Sequence, residues 1–389
     1  MLSRRLPHDE SPNAWSRALD AARAAGSLRA DLTESNPTRV GLPGLSSGAL
    51  EALADPRAAA YTPDPRGIES ARAAVCGYYA DREITLAPEN VVLTAGTSEA
   101  YAHLFRMLAD AGEKVLIPAP GYPLFEPLAA LESLRLERYQ LAWDGRWHLD
   151  LGSLERVIAG ARAMILVQPG HPSGTCLSLE DLAAAEALCE RHGVALISDE
   201  VFGDFMWRTE PAALPSLLDA PRRVPTFVLS GLSKSCGLPQ LKLGWIALAG
   251  PDGPRAVARR GLEWISDLFL TVATPVQLAL PRLLEQRHGF QARMRERLAM
   301  NLARLRAGIA RAPELDLIAG EGGWVAVLRV PARRSEEEWA IELLRRGVAV
   351  HPGHFYDLEG GCFLVLSLIV EPEVFERGMA AIEALAAED

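Results

Sequence analysis

Six short, almost unbroken apolar runs constrain this chain more than any other feature. They fall at 90–94 (NVVLT), 114–117 (KVLI), 163–167 (AMILV), 194–198 (VALIS), 226–229 (TFVL) and 244–248 (GWIAL). Between them lie longer amphipathic stretches, which predict a helix opening at Gly96-Thr97-Ser98 and running to about 109, and another over about 179–192. A strand that is apolar at every position has to be covered on both faces. The pattern therefore predicts an α/β fold, with a mainly parallel sheet flanked by helices. Ligands of such sheets bind beyond the carboxyl ends of the strands. Polar, glycine-bearing segments follow the runs at just those ends: 95–98, 168–172, 199–200 and 230–231.

The texture changes after about residue 281. An arginine-dense helical stretch (286–312) precedes a segment at 322–330, a helix at 335–346, strands at 348–351 and 362–368, and a closing helix. This predicts a smaller α/β domain over 283–389, a large domain over 46–282, and an N-terminal segment (1–45) that joins the smaller one. A length of 389 residues suits that division.

Charge and cysteine usage narrow the function. The 40 basic and 50 acidic residues leave a net charge of −10, with no basic run to offer a polyanion, so neither nucleic acid nor membrane is an expected partner. Five scattered cysteines without a CxxC pair predict no metal site and no disulfide framework, and fit a reducing cytoplasm. The N-terminus turns polar before a signal peptide could form, and the longest apolar run, near 362–370 and broken by Ser367, has strand length.

The strongest chemical signal is Ser230-Gly231-Leu232-Ser233-Lys234. A lysine at a strand end among small residues is unusual, because lysine is seldom buried unless it is paired or used covalently. Alone, it reads as a solvated loop residue. Four further segments change the balance. Asp199-Glu200 ends a strand with a carboxylate. Gly96-Thr97-Ser98 opens a helix whose free N–H groups suit a phosphate. Tyr122 stands in Pro118-Ala119-Pro120-Gly121-Tyr122-Pro123, and His171 in Gln168-Pro169-Gly170-His171-Pro172. Each has an ordinary structural explanation, as a cap, a turn or core filler. Five at strand ends in this order do not.

In this combination the chain resembles the fold-type I pyridoxal-phosphate enzymes, specifically the class I/II aminotransferases, over nearly its whole length. The resemblance implies pyridoxal 5′-phosphate as cofactor, Lys234 as the lysine that carries it, Asp199 as partner of its ring nitrogen and Tyr122 as the stacking aromatic. Gly96, Thr97 and Ser98 match the phosphate turn. Ser230, Ser233 and Lys242 fall near the phosphate. Tyr61 matches a tyrosine that reaches the neighbouring subunit's cofactor, which implies a homodimer. Asn36, in Ser35-Asn36-Pro37, matches a segment lying over the substrate. Pro352-Gly353-His354-Phe355 resembles the turn before the last strands. The implied activity moves an amino group from a small-molecule donor to a carbonyl acceptor by a ping-pong mechanism.

Some positions depart from the family. His171 stands for an asparagine, Phe202 for a tyrosine and Lys242 for an arginine. Gly231 replaces a serine or threonine, with Ser230 one place off. Val365 stands where an arginine usually grips the substrate carboxylate. The substrate therefore lacks that carboxylate, or Arg39 or Arg66 holds it. The alternatives are β-elimination (a C–S lyase), decarboxylation, or a catalytically weakened cofactor-binding protein.

Overall fold

A computed structural model describes residues 3–6, 11–44, 47–207 and 216–388. The boundary expected between 45 and 46 lies outside them. Its strands are β1 (Ala30–Asp31), β2 (Val91–Thr94), β3 (Lys114–Ala119), β4 (Arg135–Trp143), β5 (Trp147–Leu149), β6 (Ala161–Val167), β7 (Ala195–Asp199), β8 (Thr226–Gly231), β9 (Gly244–Ala249), β10 (Asp316–Ile318), β11 (Val325–Arg329), β12 (Val348–Ala349), β13 (His351–Pro352) and β14 (Phe363–Ser367).

Eight of them form one sheet in the order β2-β9-β8-β7-β6-β3-β4-β5. The run from β8 to β4 is parallel, whereas β9 pairs antiparallel with both β2 and β8. Alternate residues of each strand enter opposite cores, as the period of two requires. Leu93, Leu116, Met164, Leu196, Val228 and Trp245 pack on one face. Val92, Val115, Ile165, Ile197, Phe227 and Ile246 pack on the other. Helices cover both faces: Glu69–Ala80 and Thr274–Glu285 supply residues to the first core, Thr97–Leu108 and Asp252–Asp267 to the second. All six expected strands are present. Two more, β4 and β5, extend the sheet beyond them.

A second sheet, β10-β11-β14-β13, is antiparallel throughout, and β1 pairs with β12 alongside. Its core joins Trp15, Leu19, Leu32 and Leu42 to Phe290, Leu298, Leu343, Leu366 and Phe375. That packing supports, as a proposal, the grouping of the N-terminal segment with the smaller domain. The 25-residue helix Arg287–Arg311 spans this core, while Leu283 and Leu284 just before it pack against the large sheet. Among the described residues no helix is long and apolar enough to cross a membrane.

Candidate active site

The carboxyl ends of β2, β3, β6, β7 and β8 open into a cavity of about 310 Å3, closed on its other side by residues of the smaller sheet and of the N-terminal segment. The parallel run brings the ends of β3, β6, β7 and β8 to one edge, and β2, antiparallel to β9 and so aligned with β8, delivers a fifth loop there.

Lys234 follows β8 in the four-residue helix Leu232–Ser235. Its Nζ lies 4.8 Å from the ring centroid of Trp324 and 5.5 Å from that of Phe202. Burial lowers its pKa from 10.5 to about 8, while the nearby Asp199 carboxylate pulls the other way. At neutral pH the amine thus has an appreciable uncharged fraction. In cofactor-free protein, acylation of Lys234 by a small amine-reactive ester should titrate with a midpoint near 8. Asp199→Asn should move that midpoint lower, because removing a negative neighbour disfavours the ammonium ion. Mass spectrometry of the labelled lysine measures it, and a wild-type midpoint above about 10 would contradict the environment described.

Asp199 ends β7 and is buried. The Tyr101 hydroxyl donates to Oδ2 at 2.9 Å, and the Val201 N–H donates to Oδ1 at 3.1 Å. Burial pushes its pKa up to about 6 and outweighs those bonds and Lys234, all of which favour the ionised form. Tyr101, itself buried beside this carboxylate, is held well above its usual range and remains a donor. The neighbouring Glu200 serves the fold instead, accepting from Ser198 Oγ at 2.9 Å and from the Leu217 N–H at 3.0 Å.

His171 stacks on Phe202, with centroids 5.9 Å apart and planes at 17°. Tyr122 and Tyr356 meet it edge-on at 5.4 and 5.5 Å. Burial, then Lys234, then His351 lower its pKa to about 3, so it is neutral across the working range.

One boundary of the cavity is the start of the helix Thr97–Leu108. Gly96 caps it at φ 115°, a conformation few other residues adopt, and contributes no side-chain cap. The first N–H groups of the helix therefore remain available to an anion. Lys242 Nζ lies 3.6 Å from the point a Cβ on Gly96 would occupy. Backbone is packed closely around this turn. A Cβ on Gly231 would fall 2.8 Å from Gly244 Cα, and one on Gly244 would fall 3.1 Å from Gly96 Cα.

The cavity thus gathers Gly96, Thr97, Ser98, Tyr122, His171, Asp199, Phe202, Ser233, Lys234 and Val365. Other expected residues lie outside its lining. Ser230 sits one residue behind Gly231, its Oγ buried without a partner among the described residues. Asn36 caps its own turn, accepting from the Thr38 N–H at 3.0 Å, while Leu32, Thr33 and Ser35 reach the cavity. Arg39 is paired with Glu34 at 3.5 Å, and Arg66 lies 3.9 Å from Glu263. Tyr61 is 80% exposed beside a separate hollow that it shares with Leu270 and Thr271. The sequence reading missed Tyr101, Trp324, His351 and Tyr356. Trp324 follows the Gly322-Gly323 pair, and His351 and Tyr356 flank the Pro352–Phe355 turn already noted, so local signals existed for three of the four.

A buried carboxylate, a partly uncharged amine, an uncapped helix start and a lysine beside it suit a group with a phosphate, a ring nitrogen and an aldehyde. Within β8, just behind the lining, the Ser230 hydroxyl is a further polar atom without a partner among the described residues. The donor set fits pyridoxal 5′-phosphate. No group of His, Cys, Asp and Glu among the described residues is arranged to hold a metal ion.

Comparison with known proteins points the same way. The family model for aminotransferases of class I and II matches residues 35–378. The S-alkyl-thiohydroximate lyase SUR1 of Arabidopsis thaliana is 31% identical over 224 residues, covering 57% of this chain and 48% of its own length. Tyrosine aminotransferase of Homo sapiens is 29% identical over 343 residues, 85% of this chain and 74% of its own. The chain spans about half the length of several such relatives. In fold, alanine aminotransferase from Pyrococcus furiosus superposes with a TM-score of 0.87 over all of both chains, at 19% identity.

Proposed function

The chain belongs to the class I and II aminotransferases, a pyridoxal 5′-phosphate-dependent family, and from that premise we propose that it transfers an amino group from a small-molecule donor to a carbonyl acceptor in two half-reactions at this cavity. The observation that carries the reading is the convergence of Lys234, Asp199 and the uncapped turn at Gly96 on one cavity. When bound, the cofactor supplies an aldehyde that links covalently to amines and a ring that draws electrons from the adjoining carbon.

The chain's own residues divide the remaining work. Gly96, Thr97 and Ser98, with Lys242, would hold the phosphate through backbone N–H groups and one positive charge. Asp199 is the anion that would keep a proton on the ring nitrogen, and Tyr101 fixes its orientation. Tyr122 offers a ring at the same edge. Lys234, with its lowered pKa, is suited both to bind the aldehyde and, once released, to accept and return a proton. Neutral His171, braced against Phe202, would face the cofactor as a hydrogen-bonding group without charge.

Mixing the loaded protein with a donor and no acceptor tests this reading. One equivalent of carbonyl product per site, without ammonia, is expected. Continuous ammonia release would instead favour elimination, the second reading that the likeness to SUR1 raises.

We further propose a homodimer, in a reducing cytoplasm that the five free cysteines suit. Trp264 is 68% exposed, and Val257, Leu268 and Phe269 near it on and after the helix Asp252–Asp267 are exposed as well. This apolar face leads through Leu270 and Thr271 to exposed Tyr61, and a second copy would cover it. Trp264→Glu should shift the protein from dimer to monomer in sedimentation. It should also loosen cofactor retention, because Tyr61 would no longer reach the partner's site. A wild-type monomer would refute the proposal.

A further inference from the structure

We propose that the cavity accepts amines and carbonyl compounds with an aromatic or apolar body and no carboxylate on the reacting carbon. The inference rests on the aminotransferase reading and narrows its substrate.

Charge is the first argument. Among the described residues that line the cavity, Lys234 alone is cationic at neutral pH, since no arginine is present and both histidines are neutral. Lys234 is committed to the reaction, and Lys242 lies by the Gly96 turn. Arg39 and Arg66 lie outside the lining, 3.5 Å from Glu34 and 3.9 Å from Glu263 respectively. A carboxylate entering here would lose its water, meet no free cation and face Asp199.

Hydrogen bonding is the second. Several of the smaller lobe's polar groups at the cavity are already engaged, although the Trp324 Nε1–H is buried without a partner among the described residues. Ser367 Oγ donates to the Glu34 carbonyl at 2.7 Å, Thr33 Oγ1 donates to Asp31, and the Tyr356 hydroxyl pairs with His351 Nδ1 at 2.8 Å. Val365, at the centre of this wall, is buried between Val327 of β11 and His351 of β13.

Shape and chemistry of the wall are the third. Trp324, Phe202, Tyr122, Tyr356 and Phe125 present rings to the cavity. Two of them flank Lys234 Nζ at 4.8 and 5.5 Å, so an arriving ammonium meets the faces of the same rings.

The restriction falls on both halves of the reaction, because one cavity serves both. The donor's amine-bearing carbon gives up two electrons and becomes a carbonyl. The acceptor's carbonyl carbon gains two and becomes an amine. Nitrogen moves between them, the water taken up in the first half is released in the second, and no outside oxidant is needed.

Phenethylamine and L-phenylalanine differ only in the carboxylate. In single turnover with the loaded protein, phenethylamine should yield its carbonyl product at least about tenfold faster. If phenylalanine matches or exceeds it, the substrate inference falls while the aminotransferase reading stands; if neither yields product, both fall. A binding measurement is independent of turnover. By calorimetry, 3-phenylpropanamide should bind at least about tenfold more tightly than 3-phenylpropanoate, and equal affinity would overturn the inference. Val365→Arg should invert that preference, with Val365→Lys as a smaller cation should the arginine prevent folding. A folded variant of either kind that leaves the carboxylate weakly bound would overturn the assignment to this wall.

Discussion

Replacing Lys234 by alanine is expected to abolish the covalent cofactor link and to lower turnover by about four orders of magnitude, the upper end for loss of a proton-transferring group. Two roles converge on one atom. In the proposed function the amine would anchor the cofactor in the resting protein and, once released, would carry the proton. The fold should survive, because burial already disfavours the charge on this side chain and its removal relieves that penalty. Melting temperature should therefore hold steady or rise slightly while activity vanishes. The chain makes the chemical test simple. Only three of its forty basic residues are lysines: Lys114, Lys234 and Lys242. Lys114 is held between the Val157 carbonyl and Glu137, away from the cavity. Borohydride reduction of the loaded protein followed by peptide mass spectrometry should find the adduct on Lys234 alone. An adduct on Lys242 would reverse the roles given to the two lysines.

The second large effect is expected at Asp199. Asp199→Asn preserves the shape and leaves an oxygen for the Tyr101 hydroxyl, but it removes the charge that would hold a proton on the ring nitrogen. A loss of about two to three orders of magnitude in kcat/KM is expected, typical of a removed electrostatic partner in an enclosed site. Asp199→Ala should lose as much activity and some stability too, because the Tyr101 hydroxyl would be buried without an acceptor, at about 1–3 kcal/mol, and the half-buried Val201 N–H would lose its own. The sign of the pH effect follows from the raised pKa. Below about 6 the carboxyl of the cofactor-free chain is protonated and neutral, so cofactor uptake should weaken as pH falls through that value. Asp199→Asn should abolish that acid limb. If the variant keeps wild-type kcat/KM, Asp199 is a structural residue only.

The extent to which the site could be read in advance varied with distance along the chain. Lys234, Asp199, His171, Tyr122 and Gly96 each fall within about five residues after an apolar run, so the sheet brings them together once those runs are strands. Tyr101 bonds Asp199 across 98 residues, and no local pattern marks it. Trp324, His351 and Tyr356 arrive from the smaller lobe, whose approach to the strand ends depends on tertiary packing. β4 was missed for a different reason. As a strand near the sheet's edge it is half-exposed, and Arg135, Glu137 and Arg138 break the apolar signal while Tyr139 alone is fully buried. Arg39 and Arg66 look like spare cations in sequence, but each lies near a glutamate. The scarcity of lysine was the overlooked clue. In a chain that otherwise meets its need for positive charge with arginine, an amine kept at 234 suggests that chemistry, more than charge, is required there.

Where Gly96, Gly231 and Gly244 meet backbone to backbone, the spacing between the turn proposed to hold the phosphate and the Lys234 amine is set by the thickness of the main chain. No mutational step there is small, because even a methyl group would displace whole segments. The facing wall, from Leu32 to Val365, is made of ordinary side chains that change one at a time. Selection acting on such a molecule can diversify what it accepts while leaving its reaction intact, and a laboratory campaign to alter its preferences should do best by randomising that wall alone.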